Sequence, residues 1–339
     1  MKEIVVMKFG GTSVATPENR AQAIAHVKQE LAAGKAPVVV VSAMGRMGAP
    51  YATDTLLSQL PRDAGTDTRD LMSSCGEIIS ACVFTEELRA AGVAAEAFTG
   101  ESAGIFTTET HSSADIIGMN PANVFEAMHA GRVPVITGFQ GRTRTGRTTT
   151  IGRGGSDTSA VVIGGYLGAQ TVDIYTDVDG VAKADPRLIP QAAFMTQISS
   201  EAMLCLAQWG ASVIHPKAVQ AGLRFAVPML RVRSTFTAHT GTEIIPHFAG
   251  SGFMGLAVLK NMQDQENGQY SVCGKQYDKQ EGGAFAILTA LYPGVQDAVR
   301  RQSETEFPQL QWNGELAQLV LPMTELERGA RRLYEILQQ

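Results

Sequence analysis

The chain has 339 residues, 44% of them hydrophobic and 18% charged, with a formal net charge of −5. That length exceeds one typical domain and predicts two, in a globular protein with ample core. The acidic balance and the lack of any basic block argue against a general nucleic-acid binder, and no apolar run is long enough to span a bilayer.

The opening MKEIVVMKFGG lacks the apolar core and small-residue cleavage site of a secretory signal. Four cysteines, Cys75, Cys82, Cys205 and Cys273, are scattered with no CxxC pair. Both features predict buried thiols in a reducing cytoplasm rather than disulfides or zinc ligands.

In chain order, residues 3–9 form a short apolar run, EIVVMKF, ending at Gly10-Gly11-Thr12-Ser13. This reads as a buried strand running into a glycine turn. Pro17 opens a helix through Leu31, with Gly34 as its stop, and residues 37–42, PVVVVS, form the next strand. A β-loop-α-β start predicts parallel, right-handed pairing, with ligands gathering beyond the C-terminal strand ends. Lys8, Gly10, Gly11 and Ser42 all fall at such ends. A helix is predicted over 69–88, a polar hairpin around Gly146 over 143–150, and a strand over 170–175. Helices follow over 199–208 and 216–223, and the strand at 227–232 is expected to be the last of the first domain. Arg142, Arg144 and Arg147 read as a solvated basic rim.

The densest stretch is 148–160, TTTIGRGGSDTSA. Gly152, Gly154 and Gly155 let the backbone approach a ligand closely, and Ser156, Asp157 and Thr158 before an apolar run read as a helix start. A loop of free N–H groups at the positive end of a helix suits an anion, and Arg153 adds a planar fork for a carboxylate or phosphate. Asp157 in such a cradle must orient a cation or meet a metal ion. Neither GxxxxGK[ST] nor GxGxxG follows the first strand, so the common phosphate-loop and dinucleotide signatures are missing. Lys8, placed before its glycine pair, can project over the loop as a point charge.

KFGGTS at 8–13, SAMG at 42–45, SCGE at 74–77, GFQG at 138–141, GRGGSD at 152–157, YTDVDGV at 175–181 and ADPR at 184–187 occur in this order. Together they closely resemble the aspartate kinases of the amino-acid kinase family, from Lys2 to about Thr242. The segment SAMGRMGAPYATDTLL is most similar to the diaminopimelate-sensitive bacterial subgroup. The resemblance implies an α/β fold, a three-layer αβα sandwich around a mainly parallel eight-stranded sheet, over residues 1–245. It also implies ATP-dependent phosphorylation of the L-aspartate side chain to 4-phospho-L-aspartate, the first step towards diaminopimelate and lysine, threonine and methionine.

Chemically, the acceptor is a carboxylate, ionised at neutral pH, so the reaction needs charge neutralisation and in-line positioning rather than a general base. Lys8 with the N–H groups of Gly10 and Gly11 suits the transferring phosphoryl group, and Asp157 is expected to orient Lys8. These two are the expected catalytic pair. For aspartate, the resemblance assigns Arg153 to the α-carboxylate and Glu77 to the ammonium, with Ser42 and the backbone of Gly154, Gly155 and Ser156 completing the pocket. Nucleotide contacts are implied at Lys8, Phe9, Gly10 and Gly11, at Thr176 and Asp177, along the loop with Lys183, Asp185 and Arg187, and at Lys217. Asp185 reads equally well as a structural Asp-Pro turn. Ala182 stands where many relatives have a larger residue. His215 reads as a helix cap or core histidine, and Cys75 as packing. Mg2+ is implied with ATP, held mostly by phosphate oxygens and water, with no protein ligands named.

Beyond Thr242, relatives continue into two small βαββαβ modules of the ACT type. Here residues 246–339 suffice for one degenerate α+β ACT-like module. Strands are expected at 253–260, 269–273 and 316–321, and helices at 283–291 and 324–337, the last started by Thr324-Glu325. The glycine-rich effector loop is reduced at best to Glu281-Gly282-Gly283. The module is expected to serve a homodimer or a separate regulatory partner. Two other readings compete with the aspartate kinase: a catalytically weak paralogue acting as a nucleotide-binding regulatory subunit, and a kinase of the same fold acting on another acid.

Overall fold

The computed structural model describes residues 2–247, 250, 252–260, 269–272, 275–278 and 285–339. It divides into two compact units, Met1–Gly180 with Ile214–Pro246, and Val181–Val213 with His247–Gln339. The segment Val181–Val213, expected within the first domain, thus clusters with the C-terminal part.

The first unit opens with β1 (Ile4–Phe9), α1 (Pro17–Ala32) and β2 (Ala36–Val41). Every residue of β1 is buried, and α1 starts where the Thr16 hydroxyl accepts the Asn19 N–H ahead of Pro17. The short α2 (Thr53–Leu57) leads to the long α3 (Thr66–Ala90), then β3 (Ala95–Phe98), β4 (Ile105–Thr107), β5 (Ile116–Met119), α4 (Ala122–His129) and β6 (Val133–Thr137). The predicted polar hairpin follows as β7 (Gln140–Arg142) and β8 (Thr148–Thr150), paired antiparallel across a turn with Gly146 at φ 89°. Arg144 and Arg147 are exposed there, while Arg142 is ion-paired with Glu101. Next come α5 (Gly155–Leu167) and β9 (Thr171–Thr176). After β10 (Gln197–Ser199) and α6 (Ser200–Gln208) of the second unit, α7 (Pro216–Arg224), β11 (Met229–Ser234) and β12 (Thr242–Ile245) finish the first. The strand predicted at 227–232 is therefore not the last. β12 folds back antiparallel on β11.

The central sheet has eight strands, and the seven that carry the site run β12-β11-β9-β1-β2-β6-β3. All their pairings are parallel except β11–β12. Strand alternation splits the core between the two faces. Val5, Met7, Phe9, Val39 and Val41 pack with Ala23 and Val27 of α1 and with Phe84 and Leu88 of α3. On the other face, α5 comes so close that a Cβ on Gly164 would lie 2.5 Å from Val172 Cγ2. The expected αβα layering and eight-stranded, mainly parallel sheet are present.

The second unit holds an antiparallel sheet in the order β13-β16-β18-β17, built from β13 (Gly255–Lys260), β16 (Phe285–Leu291), β17 (Gln311–Asn313) and β18 (Leu316–Pro322). A separate pair joins β14 (Gln269–Val272) and β15 (Lys275–Asp278). The helix α8 (Asp297–Glu306) lies between β16 and β17, and α9 (Leu326–Leu337) closes the chain. Leu288, Leu319, Leu321, Leu333 and Leu337 share its core.

Three expectations change here. The helix predicted at 283–291 is strand β16. A continuous apolar run suits a fully buried strand as well as a helix, and only the flanking strands β13 and β18 decide. Helix α8 was not predicted, because its sequence is polar with just Val299 and Ser303 buried. The closing helix starts at Leu326 after a 3₁₀ turn, Met323–Glu325, without the expected side-chain cap. Cys75 and Cys205 are half-buried and Cys82 is exposed, all three free, so the predicted burial is only partial. Cys273 and Glu281-Gly282-Gly283 lie outside the described residues.

Candidate active site

The site grows from the alternation of β1. Met7 and Phe9 point into the α1–α3 layer, so Lys8 between them faces the α5 side. Asp157, in the first turn of α5, meets it: Lys8 Nζ lies 2.6 Å from Asp157 Oδ1, with both side chains mostly buried. At that distance the ammonium and the carboxylate form a direct charge pair. A negative side chain is also favoured at this end of the helix dipole.

Past β1 the backbone has no room for side chains. A Cβ on Gly11 would stand 2.6 Å from the Gly45 oxygen and 2.9 Å from the Ala43 oxygen. The Gly45 N–H donates to the Gly11 carbonyl at 2.9 Å, locking the two glycine turns together. The Gly10 N–H is donated to the Tyr175 carbonyl at 3.2 Å, which engages one of the two amides expected at the phosphoryl group. The Phe9 ring is fully buried, stacked on Tyr175 at 4.7 Å, so its backbone alone can meet a ligand.

The glycine loop between β8 and α5 is as constrained. Gly152 and Gly154 have φ of 82° and 68°. A Cβ on Gly154 would sit 2.2 Å from His215 Cβ, and one on Gly155 2.7 Å from the Phe139 ring. Gly154, in the left-handed conformation, occupies the cap position, so Ser156 and Asp157 fall inside the first turn instead of preceding it. His215 is a helix cap, as expected: its Nδ1 accepts the Lys217 N–H at 3.3 Å. Burial holds its pKa below the usual histidine value, against the pull of Asp157. We expect Gly154→Ala to cost about 2 kcal/mol or more from the disfavoured backbone and the clash together. Urea unfolding would read the loss as a lower midpoint.

Glu77 comes from α3. It is 2% exposed, accepts the Ala43 N–H on Oε1 at 3.1 Å, and has no partner on Oε2. Burial pushes its pKa up to about 8, against the backbone hydrogen bonds that lower it. A buried carboxylate with an empty oxygen is costly unless a cation arrives.

These groups line one cavity of about 450 Å³. It brings together Lys8, Gly11, Ser42, Glu77, Arg153, Gly154, Gly155, Ser156 and Asp157 from the sequence-predicted set. Thr176 ends β9, beside β1, with Asp177 following it, and neither lines the cavity. Asp177 reaches its rim through Arg46, whose Nη2 lies 2.7 Å from Asp177 Oδ2. Lys217 stands next to His215, behind Gly154. Lys183, Asp185 and Arg187 belong to the second unit. There Lys183 lies over the Phe253 ring at 5.8 Å, and Asp185 accepts the Arg187 N–H at 2.9 Å and its guanidinium at 2.8 Å. Asp185 therefore has the contacts of a structural turn, its carboxyl held below the ordinary range by Arg187 against partial burial.

Sequence reasoning gave no role to Arg46, Thr53, Asp54 or Phe139, which also line the cavity. Arg46, Thr53 and Asp54 sit in the segment SAMGRMGAPYATDTLL, so position after a strand end was a usable signal. Phe139 lies in the GFQG motif at 138–141, but nothing there marks its backbone: it adopts φ 70°, which an aromatic residue rarely does. Its N–H is held by Ser159 Oγ at 2.9 Å and its carbonyl accepts the Ile151 N–H at 2.9 Å.

Comparison with known proteins places these features in a family. A profile described as the amino acid kinase family matches residues 3–230. Aspartokinase 1 of Bacillus subtilis (strain 168) is 46% identical over 248 residues, 72% of this chain and 61% of that protein. An aspartokinase of Thermus thermophilus is 42% identical over 295 residues, 85% of this chain and 69% of that one. The chain thus spans about three-fifths of the length of the Bacillus relative. The crystal structure of E. coli aspartokinase III with aspartate and ADP superposes with a TM-score of 0.78, covering 99% of this chain and 100% of that one. At 19% identity that likeness is one of fold.

Proposed function

This chain belongs to the amino acid kinase family, and we propose that it is an aspartokinase, moving the γ-phosphoryl group of ATP onto the side-chain carboxylate of L-aspartate. The observation that carries the reading is the single cavity holding a buried Lys8–Asp157 pair, a buried carboxylate with an open oxygen, Arg153 and a glycine-lined helix start.

An oxygen of the aspartate side chain attacks the γ-phosphorus, the bond to the β–γ bridging oxygen breaks, and ADP leaves with that oxygen. No proton needs to be removed from the nucleophile. The chain's task is to hold anions together. Lys8 neutralises charge on the transferring group and Asp157 keeps its ammonium in place. Glu77 offers its open oxygen to the substrate ammonium, and the Arg153 fork takes the α-carboxylate. Ser42 and the first turn of α5 close the pocket around the acceptor. ATP would arrive as its magnesium complex, in which the ion would supply further neutralisation of phosphate charge and would need no ligand from this chain. Thr176, Asp177 and Lys217 serve the nucleotide, with Lys183, Asp185 and Arg187 as further candidates.

The same reading extends to subgroup and assembly. Residues 1–245 form the catalytic domain, and the similarity at SAMGRMGAPYATDTLL supports placing the chain in the diaminopimelate-sensitive subgroup. Residues 246–339 form a single ACT-like module. The succession β16-α8-β17-β18-α9 follows five of the six elements of βαββαβ, and β13 supplies a fourth strand beside β16. That module mediates a homodimer or docks a regulatory partner. The enzyme works in the cytoplasm, at the first step towards diaminopimelate, lysine, threonine and methionine. Among the described residues no helix is long and apolar enough to cross a membrane.

ADP release from the purified chain with Mg-ATP and L-aspartate tests the proposal, with L-glutamate as competitor and with lysine, threonine and meso-diaminopimelate added singly. Turnover specific for aspartate is expected; nucleotide binding without turnover would favour the regulatory paralogue. Arg153→Ala should raise the aspartate KM by about 10–100-fold, the worth of a charge-assisted bidentate contact, and leave the ATP KM within about threefold. An unchanged aspartate KM would remove Arg153 from the carboxylate subsite.

A further inference from the structure

Asp70 lies outside the cavity and carries no role in the chemistry above, yet it is the most heavily used buried carboxylate of the first unit. It is 1% exposed and sits on α3, two helical turns before Glu77 and on the same face. Its Oδ1 accepts the Thr150 hydroxyl at 2.6 Å, and both oxygens take the Ser112 N–H at 3.0 Å. The Ser112 hydroxyl adds a contact at 3.3 Å, and His111 Nδ1 lies 2.8 Å from Oδ2.

Those partners flank the glycine loop from both sides. Thr150 ends β8 three residues before Arg153, and its carbonyl accepts the Ala114 N–H at 2.9 Å. Ser112 has φ 65°, a conformation that costs energy for a residue with a Cβ and persists where its surroundings over-determine it. Asp70 provides that constraint through both the N–H and the hydroxyl. The Ser112 carbonyl in turn abuts Gly152, where an added Cβ would lie 2.9 Å away. One carboxylate therefore fixes the two chain segments between which the Gly152–Arg153 turn is set.

We propose that Asp70 is a positioning residue for amino-acid recognition: through Thr150 and Ser112 it sets the Gly152–Arg153 turn against α3, and so the spacing between Arg153 and Glu77. The inference rests on the reading of those two residues as the carboxylate and ammonium anchors. Both anchors must meet groups on one substrate carbon, so their separation has little tolerance. Helix α3 carries Glu77 directly and holds the Arg153 loop through Asp70, which makes the helix the ruler between them. Lys8 and Asp157 do not depend on this link, since they belong to β1 and α5.

The test uses the full chain with Thr150→Val, Thr150→Ser, Asp70→Asn and Arg153→Ala, each measured for kcat, both KM values and aspartate binding by calorimetry. Thr150→Val keeps the shape and removes the hydroxyl, and Asp70→Asn keeps the shape and removes the charge. Both should raise the aspartate KM and Kd by about tenfold, since displacing an anchor by an ångström has effects of that order or more. The ATP KM should stay within about twofold in both variants. Thr150→Ser, which retains the hydroxyl, should match the wild type. In the Arg153→Ala background, Thr150→Val should add little further loss, because the anchor it positions is gone. Unchanged aspartate affinity in Thr150→Val would overturn the inference even while Arg153→Ala weakens binding. So would equal losses in kcat and both KM values, which mark a role in folding alone. If Arg153→Ala itself leaves aspartate affinity intact, the reading of the anchors fails, and the inference with it. Should Asp70→Asn fail to fold, the Thr150 pair still decides.

Discussion

Lys8→Ala should lower kcat by about 10³-fold while the aspartate KM moves by less than about threefold. The Lys8 ammonium is a fixed charge 2.6 Å from Asp157 in a mostly buried setting, so no solvent reorganisation is needed when charge moves between donor and acceptor. Alanine leaves Asp157 without its counter-charge at the place where a phosphoryl group must pass, and repulsion adds to the lost attraction. Lys8→Arg should rescue little, because a planar fork cannot replace a point charge of this size at that spacing. Steady-state kinetics with Mg-ATP and aspartate decide the matter. Turnover near wild type in Lys8→Ala would remove the lysine from the phosphoryl path.

Glu77→Gln should raise the aspartate KM by about 30–100-fold, the loss of a buried charge-assisted contact to an ammonium. The pH dependence separates this from a packing effect. Burial lifts the Glu77 pKa from 4.5 to about 8 in the ligand-free protein, and only the ionised form can pair with the substrate ammonium. Aspartate binding by the wild type should therefore strengthen as pH rises from 6 to 8, and the glutamine variant should lose that slope. Stability runs in the opposite sense. Between pH 4.5 and about 8 the folded chain keeps a proton at Glu77 that the unfolded chain releases, so stability falls as pH rises through this window. Below it both states are protonated and the term vanishes. Glu77→Gln should thus melt about 5 °C above the wild type near pH 8 and converge with it near pH 4.5. Thermal scans at the two pH values check this, and a variant less stable at pH 8 would contradict it.

The sequence by itself determined strands β1, β2 and β9, the glycine turns and the identity of most of the residues that meet in the cavity. These are local properties: β-branched apolar runs make buried strands, glycines mark tight turns, and strand ends in a parallel sheet point at the ligand. Lys8 was legible because its motif sits at such an end, Arg153 and Asp157 because theirs forms a glycine-rich helix start, and Glu77 through the resemblance carried by SCGE. Tertiary structure alone decided the rest. The run at 285–291 became a strand because β13 and β18 flank it. The Gly10 amide went to the Tyr175 carbonyl because β9 pairs beside β1. Segment Val181–Val213 joined the C-terminal unit through contacts distant in sequence. The left-handed backbone of Ser112 and Phe139, and the meeting of Asp70 with Thr150 eighty residues away, have no local signature. Pairing, burial and strain arise between segments, and a residue's own neighbours in the chain do not encode which segment it will face.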